Sequence, residues 1–267
     1  MLTALTVFNS LKDKIARLFS SLKLKNREHP KGRKPFCTNV EAVTLAILKQ
    51  QQNIGTKKSF FELVEPGCSY NTFVRTINRV GTNLTHIIGV VMQLLQKDAH
   101  TLKFTDSTDV PVCLYKNAGT HRTMERLSGF SETGKGKFYG LKLHLSADVE
   151  GRVLALKFTP GNSNDRAVFT KMNRMLRGLF VADAEYVGKD FTREFYQEGQ
   201  RAVLTAVRSN MRKIATKWQI RILNLRMRIE IHFRMLKCIY GLVTSFPRSI
   251  NGYIVHYLGA IAAHVLA

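Results

Sequence analysis

Apolar residues recur at three-and-four spacing through most of the first hundred positions. "IARLFSSLKL", "NVEAVTLAILKQQ" and "NTFVRTINRVGTNLTHIIGVVMQLLQK" each carry that period, which predicts helices. Between the first two, "KLKNREHPKGRKPF" is basic and holds Pro and Gly, so it reads as an exposed arm. "SFFELVEPGCSYNTFVRTINRV" predicts a helix, a Pro-Gly turn and a second helix opened by Ser69, with Arg75 and Arg79 on it. That is the outline of a helix-turn-helix, although ordinary packing of short helices gives the same pattern and is the preferred reading.

The period changes at "TLKFTDSTDVPVCLY", which is rich in β-formers and predicts a strand. "GKFYGLKLHLSADVEGRVLALKFTPG" predicts two strands about a "DVEGR" turn. A helix over "DRAVFTKMNRML", with Asp165 near its start, precedes a buried strand over "GLFVADAEY". A helix over "KDFTREFYQEG", closed by Gly199, and a strand over "RAVLTAV" follow. One long helix is then expected from about Ser209 to Tyr240, with Ile214, Trp218, Ile222, Leu225, Ile229, Phe233, Leu236 and Tyr240 as its apolar stripe. The chain thus divides into a helical region, 1–97, and an α/β region, 98–267.

Composition sharpens this picture in one respect. Lys and Arg number 41 against 19 acids, a formal net charge of +22 on 267 residues. With an apolar content of 45% the chain is a folded protein and not a basic tail, and a polyanion is the expected partner. Four scattered cysteines, Cys37, Cys68, Cys113 and Cys238, argue against a zinc site or a disulfide framework and for reduced thiols. The start lacks signal-peptide order, and the longest apolar runs, "HIIGVVMQLL" and "GYIVHYLGAIAAHVLA", are too short to span a bilayer. A cytoplasmic protein is expected.

Against that basic background the acids stand out. From Arg201 to Ala267 there are eleven Lys or Arg residues and one carboxylate, Glu230. On a continuous helix Arg226, Glu230 and Lys237 fall on one face, one step round from the apolar stripe. An intrahelical ion pair with Arg226 or Arg234 is the ordinary explanation for such an acid. Asp106 on the first strand and Asp183 on the strand after the first helix offer it other company.

The order of these elements, with three acids so placed, resembles the ribonuclease H-like catalytic domain of DDE transposases from bacterial insertion sequences. The insertion-sequence family numbered nine-eighty-two is the most similar in its segments. "DSTDVPVC" resembles its first-Asp segment, "FYGLKLHL" with "TPGNSNDR" its central hairpin and loop, and "VADAEYVGK" its second-Asp segment. The resemblance covers most of 59–260. Arg226, Glu230 and Lys237 repeat the spacing of a Tyr-Arg-Glu-Lys signature, with Leu223 at the Tyr position. A second departure is Ala184-Glu185 where Lys-Gly is usual. On a strand, Glu185 shares a face with Asp183 and adds a fourth carboxylate.

The resemblance implies a mixed sheet flanked by helices, and Asp106, Asp183 and Glu230 as catalytic residues holding two Mg²⁺ ions, with Mn²⁺ as the alternative. It implies cutting of element ends and joining to target DNA, by a homodimer or larger assembly on DNA. Arg226, Arg234 and Lys237 are the expected phosphate contacts. Asp109 is a rival to Asp106 on the opposite strand face, and His144 reads as a satisfied half-buried histidine. Asn162 and Asp165 suit either the cleft or a helix cap, and Trp218 reads as core. A non-catalytic DNA-binding protein, an inactive copy of the element, or a ribonuclease H-like nuclease without strand transfer are the competing readings.

Overall fold

The computed structural model describes residues 4–26, 35–134, 136–197, 200–206, 216–243 and 246–267. These fall into two compact units, Met92–Arg234, and Met1–Val91 with Met235–Ala267. The last segment therefore leaves the α/β region, in which the expected 98–267 boundary placed it, and joins the N-terminal helices.

The α/β unit is built on one six-stranded sheet. Its strands are β1 (Leu102–Pro111), β2 (Gly129–Thr133), β3 (Gly136–Asp148), β4 (Val153–Pro160), β5 (Gly178–Ala182) and β6 (Arg201–Thr205). β3 lies antiparallel to β1 on one side and to β2 and β4 on the other, while β5 runs parallel to β1 and β6 parallel to β5. The expected β3–β4 hairpin forms because Asp148 closes its turn. One of its carboxylate oxygens accepts the backbone N–H groups of Glu150 and Arg152 at 3.0 and 2.9 Å, and Gly151 supplies the positive φ of 86°.

Parallel strands need crossovers, and helices supply them. Asp165–Met172, α6, links β4 to β5, and Lys189–Gln197, α7, links β5 to β6. Asn164 caps α6 by accepting from the N–H groups of Arg166 and Ala167. Phe169 of α6, Phe180 of β5, Tyr186, and Phe191 and Phe195 of α7 form one aromatic core cluster.

The long helix expected over 209–240 is broken in this structure. Residues 207–215 lie outside the described ones; beyond them run Lys217–Asn224, α8, and Met227–Arg234, α9, separated by a turn at Leu225–Arg226. Thr216 opens α8 with a reciprocal capping box to Gln219. Ile222, Ile229 and Phe233 are buried as the stripe predicts, but Trp218 is 59% exposed and is not core. α9 packs on β1 and β3.

The second unit gathers Ala4–Ser21, α1; Asn39–Gln51, α2; Lys57–Val64, α3; Tyr70–Ile77, α4; and the first part of Gly81–Lys97, α5. A π-helical turn, Met235–Ile239, and Ile250–Val265, α10, complete it. α2 packs against α1, α4 and α10 and is buried nearly all round, so it is the central helix. α10 approaches it closely at Gly259, where a Cβ would lie 3.1 Å from the Ala46 carbonyl oxygen. Gln50 of α2 donates to the His256 carbonyl of α10 at 2.9 Å. Among the described residues no helix is long and apolar enough to cross a membrane. The α3–α4 pair buries Phe60, Phe73 and Ile77 and leaves Arg75 and Arg79 exposed. Most of the basic arm lies outside the described residues.

Candidate active site

Strand register does most of the work of assembling the site. β1 and β5 pair in parallel with Phe104 opposite Val181. Two residues further along each chain come Asp106 and Asp183, so neighbouring strands, about 4.8 Å apart, deliver both carboxylates together. β5 ends at Ala182, and Asp183 caps the short 3₁₀ turn Ala184–Tyr186 by accepting from the Ala184 N–H at 2.6 Å. Asp106 accepts from the Ser107 N–H at 2.8 Å.

A single guanidinium joins the two acids. Arg226 Nη1 lies 3.5 Å from Asp106 Oδ2 and 3.8 Å from Asp183 Oδ2. Arg226 sits in the turn between α8 and α9, not on a helix shared with Glu230. The expected Arg226–Glu230 face therefore does not form, and Arg226 reaches the sheet instead. Burial pushes the Asp106 carboxyl up to about 6. The Ser107 N–H and Arg226 pull it back, and the Asp183 and Glu185 charges add to the rise.

Glu185 reaches this group by a different route from the one its spacing suggested. It lies on the 3₁₀ turn and not on a strand, so it shares no strand face with Asp183. Arg166 donates twice to its backbone carbonyl, from Nε at 3.1 Å and Nη2 at 3.0 Å, and pins the turn. Tyr186, on the same turn, is buried and its hydroxyl is held well above the usual phenol range. Burial is the main cause, and Asp106, Asp165, Glu185 and Asp183 add to it. Sequence reasoning did not single out Tyr186; its place three residues beyond Asp183, beside aromatic Phe191 and Phe195, was the available signal.

Glu230 is exposed on the first turn of α9, and Arg234 is exposed one turn further on. Lys237 falls on the π-helical turn that belongs to the helical unit. Among the described residues no three acid, His or Cys side chains stand close enough to hold a metal ion. The structure thus brings together Asp106, Asp183 and Arg226 from the expected set, and leaves Glu230, Arg234 and Lys237 outside that contact group.

The rival residues have other occupations. Asp165 is ion-paired to Lys142 at 2.8 Å and accepts from Ser107 Oγ at 3.1 Å, on the sheet face opposite Asp106. Asp109 shares the Ser107 face and is paired in register with Lys142. Asn162 packs against Gly129 and caps nothing; the α6 cap is Asn164. His144 is fully buried, against the expected half-burial. Its Nε2 sits 2.8 Å from Thr159 Oγ1, and burial lowers its pKa to about 4.

The donor set fits hard divalent cations. Asp106 and Asp183 offer carboxylate oxygens to one point, and a cation, the Arg226 guanidinium, already sits there. Four strands, β1 to β4, joined by antiparallel pairings and continued by β5 and β6 in parallel, with one carboxylate on β1 and the other just beyond its neighbour β5, give a ribonuclease H-like domain. The family model of the transposase DDE domain matches residues 96–250, more than half of the chain. The chain belongs to that family, whose members are metal-dependent transposases acting in DNA transposition.

Solved structures with a similar arrangement include a pre-cleavage Mos1 transpososome, 13% identical, covering 85% of this chain and 86% of that one at a TM-score of 0.27. The Mos1 strand transfer complex is 13% identical over 85% of both chains, TM-score 0.26. The Mos1 mariner paired-end complex with Mn is 11% identical over 85% of both, TM-score 0.25. Overlays this loose transfer no residue roles. No curated protein matches the chain.

Proposed function

We propose that this chain cuts DNA at the ends of an insertion sequence of the nine-eighty-two type and joins them to target DNA. Asp106 and Asp183 form the core of the site, and Glu230 of α9, which packs on β1 and β3, is the third carboxylate. A pair of Mg²⁺ ions, or Mn²⁺, supplies activation of the attacking oxygen and neutralisation of the charge at the leaving 3′ oxygen. The chain's own residues fix where that charge is met: the two strands hold Asp106 and Asp183, the Asp183 cap fixes the turn behind it, and Arg226 and Arg234 carry positive charge to the phosphates. The freed 3′-OH is then the nucleophile at target DNA, so strand transfer needs no external energy source. Lys237 is proposed as a further phosphate contact, and the N-terminal helices with Arg75 and Arg79 as a DNA-binding region. Capture of two element ends implies a dimer or larger assembly on DNA, in the bacterial cytoplasm at the nucleoid.

The observation that carries this reading is the parallel register that sets Asp106 beside Asp183 around one cation. The test is single-turnover cleavage of end-bearing DNA with Mg²⁺ or Mn²⁺. Asp106→Asn and Asp183→Asn should each lose cleavage by at least about a hundredfold while still binding DNA. Glu230→Gln should do the same. Cleavage by the two Asp variants at the rate of the unaltered protein overturns the reading, and cleavage by Glu230→Gln alone removes only Glu230 from the site. The exposure of Glu230 and the Glu185 departure favour one second reading, an inactive copy that binds DNA. It predicts tight, salt-sensitive binding and no cleavage by the unaltered protein.

A further inference from the structure

We infer that Arg226 is a resident counter-cation for Asp106 and Asp183, displaced when metal binds and re-engaged by a DNA phosphate, so that metal and DNA binding are coupled through this one side chain. The inference rests on the proposed reading that this carboxylate pair holds the metal.

The geometry is specific. An arginine that serves one carboxylate normally docks two nitrogens onto its two oxygens. Here one nitrogen, Nη1, lies between oxygens of two residues from two strands, 3.5 Å from one and 3.8 Å from the other. Neither contact is short, as expected of a group spanning two sites. The Arg226 and Asp106 side chains are only 20% and 22% exposed, so water screens that pair poorly, whereas Asp183 is 42% exposed. Without Arg226, Asp106 and Asp183 would face each other and Glu185 with no counter-charge among these groups.

A divalent ion placed on the guanidinium side of these two oxygens competes with the guanidinium for them. Mg²⁺ binds carboxylate oxygen at about 2.0–2.1 Å. On that side, an ion at this distance from both oxygens would stand within about 4 Å of Nη1, where two cations repel. Arg226 occupies the Leu225–Arg226 turn between α8 and α9, so the helix ladder does not dictate the direction of its side chain. A phosphate bound at the metals is the nearest new acceptor, and it suits the planar fork. Arg226 therefore opposes metal binding by the free protein and ceases to oppose it once DNA is present. The resulting linkage is reciprocal.

The test is Mn²⁺ binding by isothermal titration to the whole protein, with folding checked by circular dichroism. DNA affinity is measured by fluorescence anisotropy with and without Ca²⁺, a divalent ion chosen to limit cleavage. Arg226→Gln should bind Mn²⁺ about tenfold more tightly than the unaltered protein in the absence of DNA, within the usual range of coupling factors. Its gain in DNA affinity on adding Ca²⁺ should shrink by a similar factor. Arg226→Lys keeps the cation without the fork and should bind Mn²⁺ within about threefold of the unaltered protein. Equal Mn²⁺ affinity in the Gln variant and the unaltered protein overturns the inference. So does a Lys variant that binds Mn²⁺ tenfold more tightly, which also decides the matter if the Gln variant does not fold. Asp106→Asn and Asp183→Asn separate this from the underlying reading: if neither weakens Mn²⁺ binding, the carboxylate pair is not the metal site at all.

Discussion

Lys49 is 4% exposed on α2, held by the Gln50 side chain at 2.9 Å, and the charged group acting on it is another lysine, Lys57. Burial first, and that repulsion second, lower its pKa to about 8. A lysine whose folded pKa lies below its unfolded value of about 10.4 contributes stability above that value. The contribution is lost as pH falls through about 8. At neutral pH the protein thus bears a buried ammonium that costs roughly 3 kcal/mol by its shift, while replacing the lysine gives up the Gln50 bond, about 1 kcal/mol. Lys49→Met should therefore raise the melting temperature at pH 7, by roughly 2 kcal/mol in stability, and the gain should fade between pH 8 and 10.5. Melting curves across that range check it; a gain that is flat with pH removes Lys49 ionisation as the cause.

At the scale of elements, the site depends on what lies behind it. Phe169 of α6 meets Phe180, Tyr186, Phe191 and Phe195 with ring centroids 5.0–5.8 Å away. Tyr186 belongs to the turn that Asp183 caps, so α6 holds the second carboxylate in place through aromatic packing. Phe169→Ala should cost about 3–5 kcal/mol, visible in urea unfolding. Cleavage should fall too, because the Asp183 turn loses its support. Full cleavage by a variant so destabilised would separate the cluster from the site.

At the scale of the whole molecule, two features can be tested. The excess of 22 positive charges predicts DNA affinity that falls steeply with salt. Lys237→Ala should flatten the slope of log affinity against log salt by about one if it meets a phosphate. The return of α10 to α2 makes a separate prediction. Ten α10 residues are buried, so deleting 246–267 should unfold the helical unit while the sheet keeps its signal in circular dichroism and proteolysis. Loss of both together would mean that the two units fold as one.

The sequence by itself determined the type and order of nearly every element, because hydrophobic period is a local property that burial of one face enforces. The resemblance of "DSTDVPVC" and "VADAEYVGK" pointed to Asp106 and Asp183 together, and register then sets Asp106, mid-strand on β1, beside Asp183, one residue beyond β5. Only the tertiary structure decided where Arg226 turns. Its i+4 spacing to Glu230 favoured a helix-face pair, but the break at Leu225–Arg226 let two sheet carboxylates outbid one exposed acid. Trp218 kept the spacing of the stripe but lies at the start of α8, one turn before buried Ile222, and stays exposed. Glu185 followed strand spacing in the sequence, yet β5 ends at Ala182 because Asp183 satisfies the next backbone N–H itself. The home of α10 was hidden for a similar reason: an apolar helix must be covered, but nothing in its own period says by which helix.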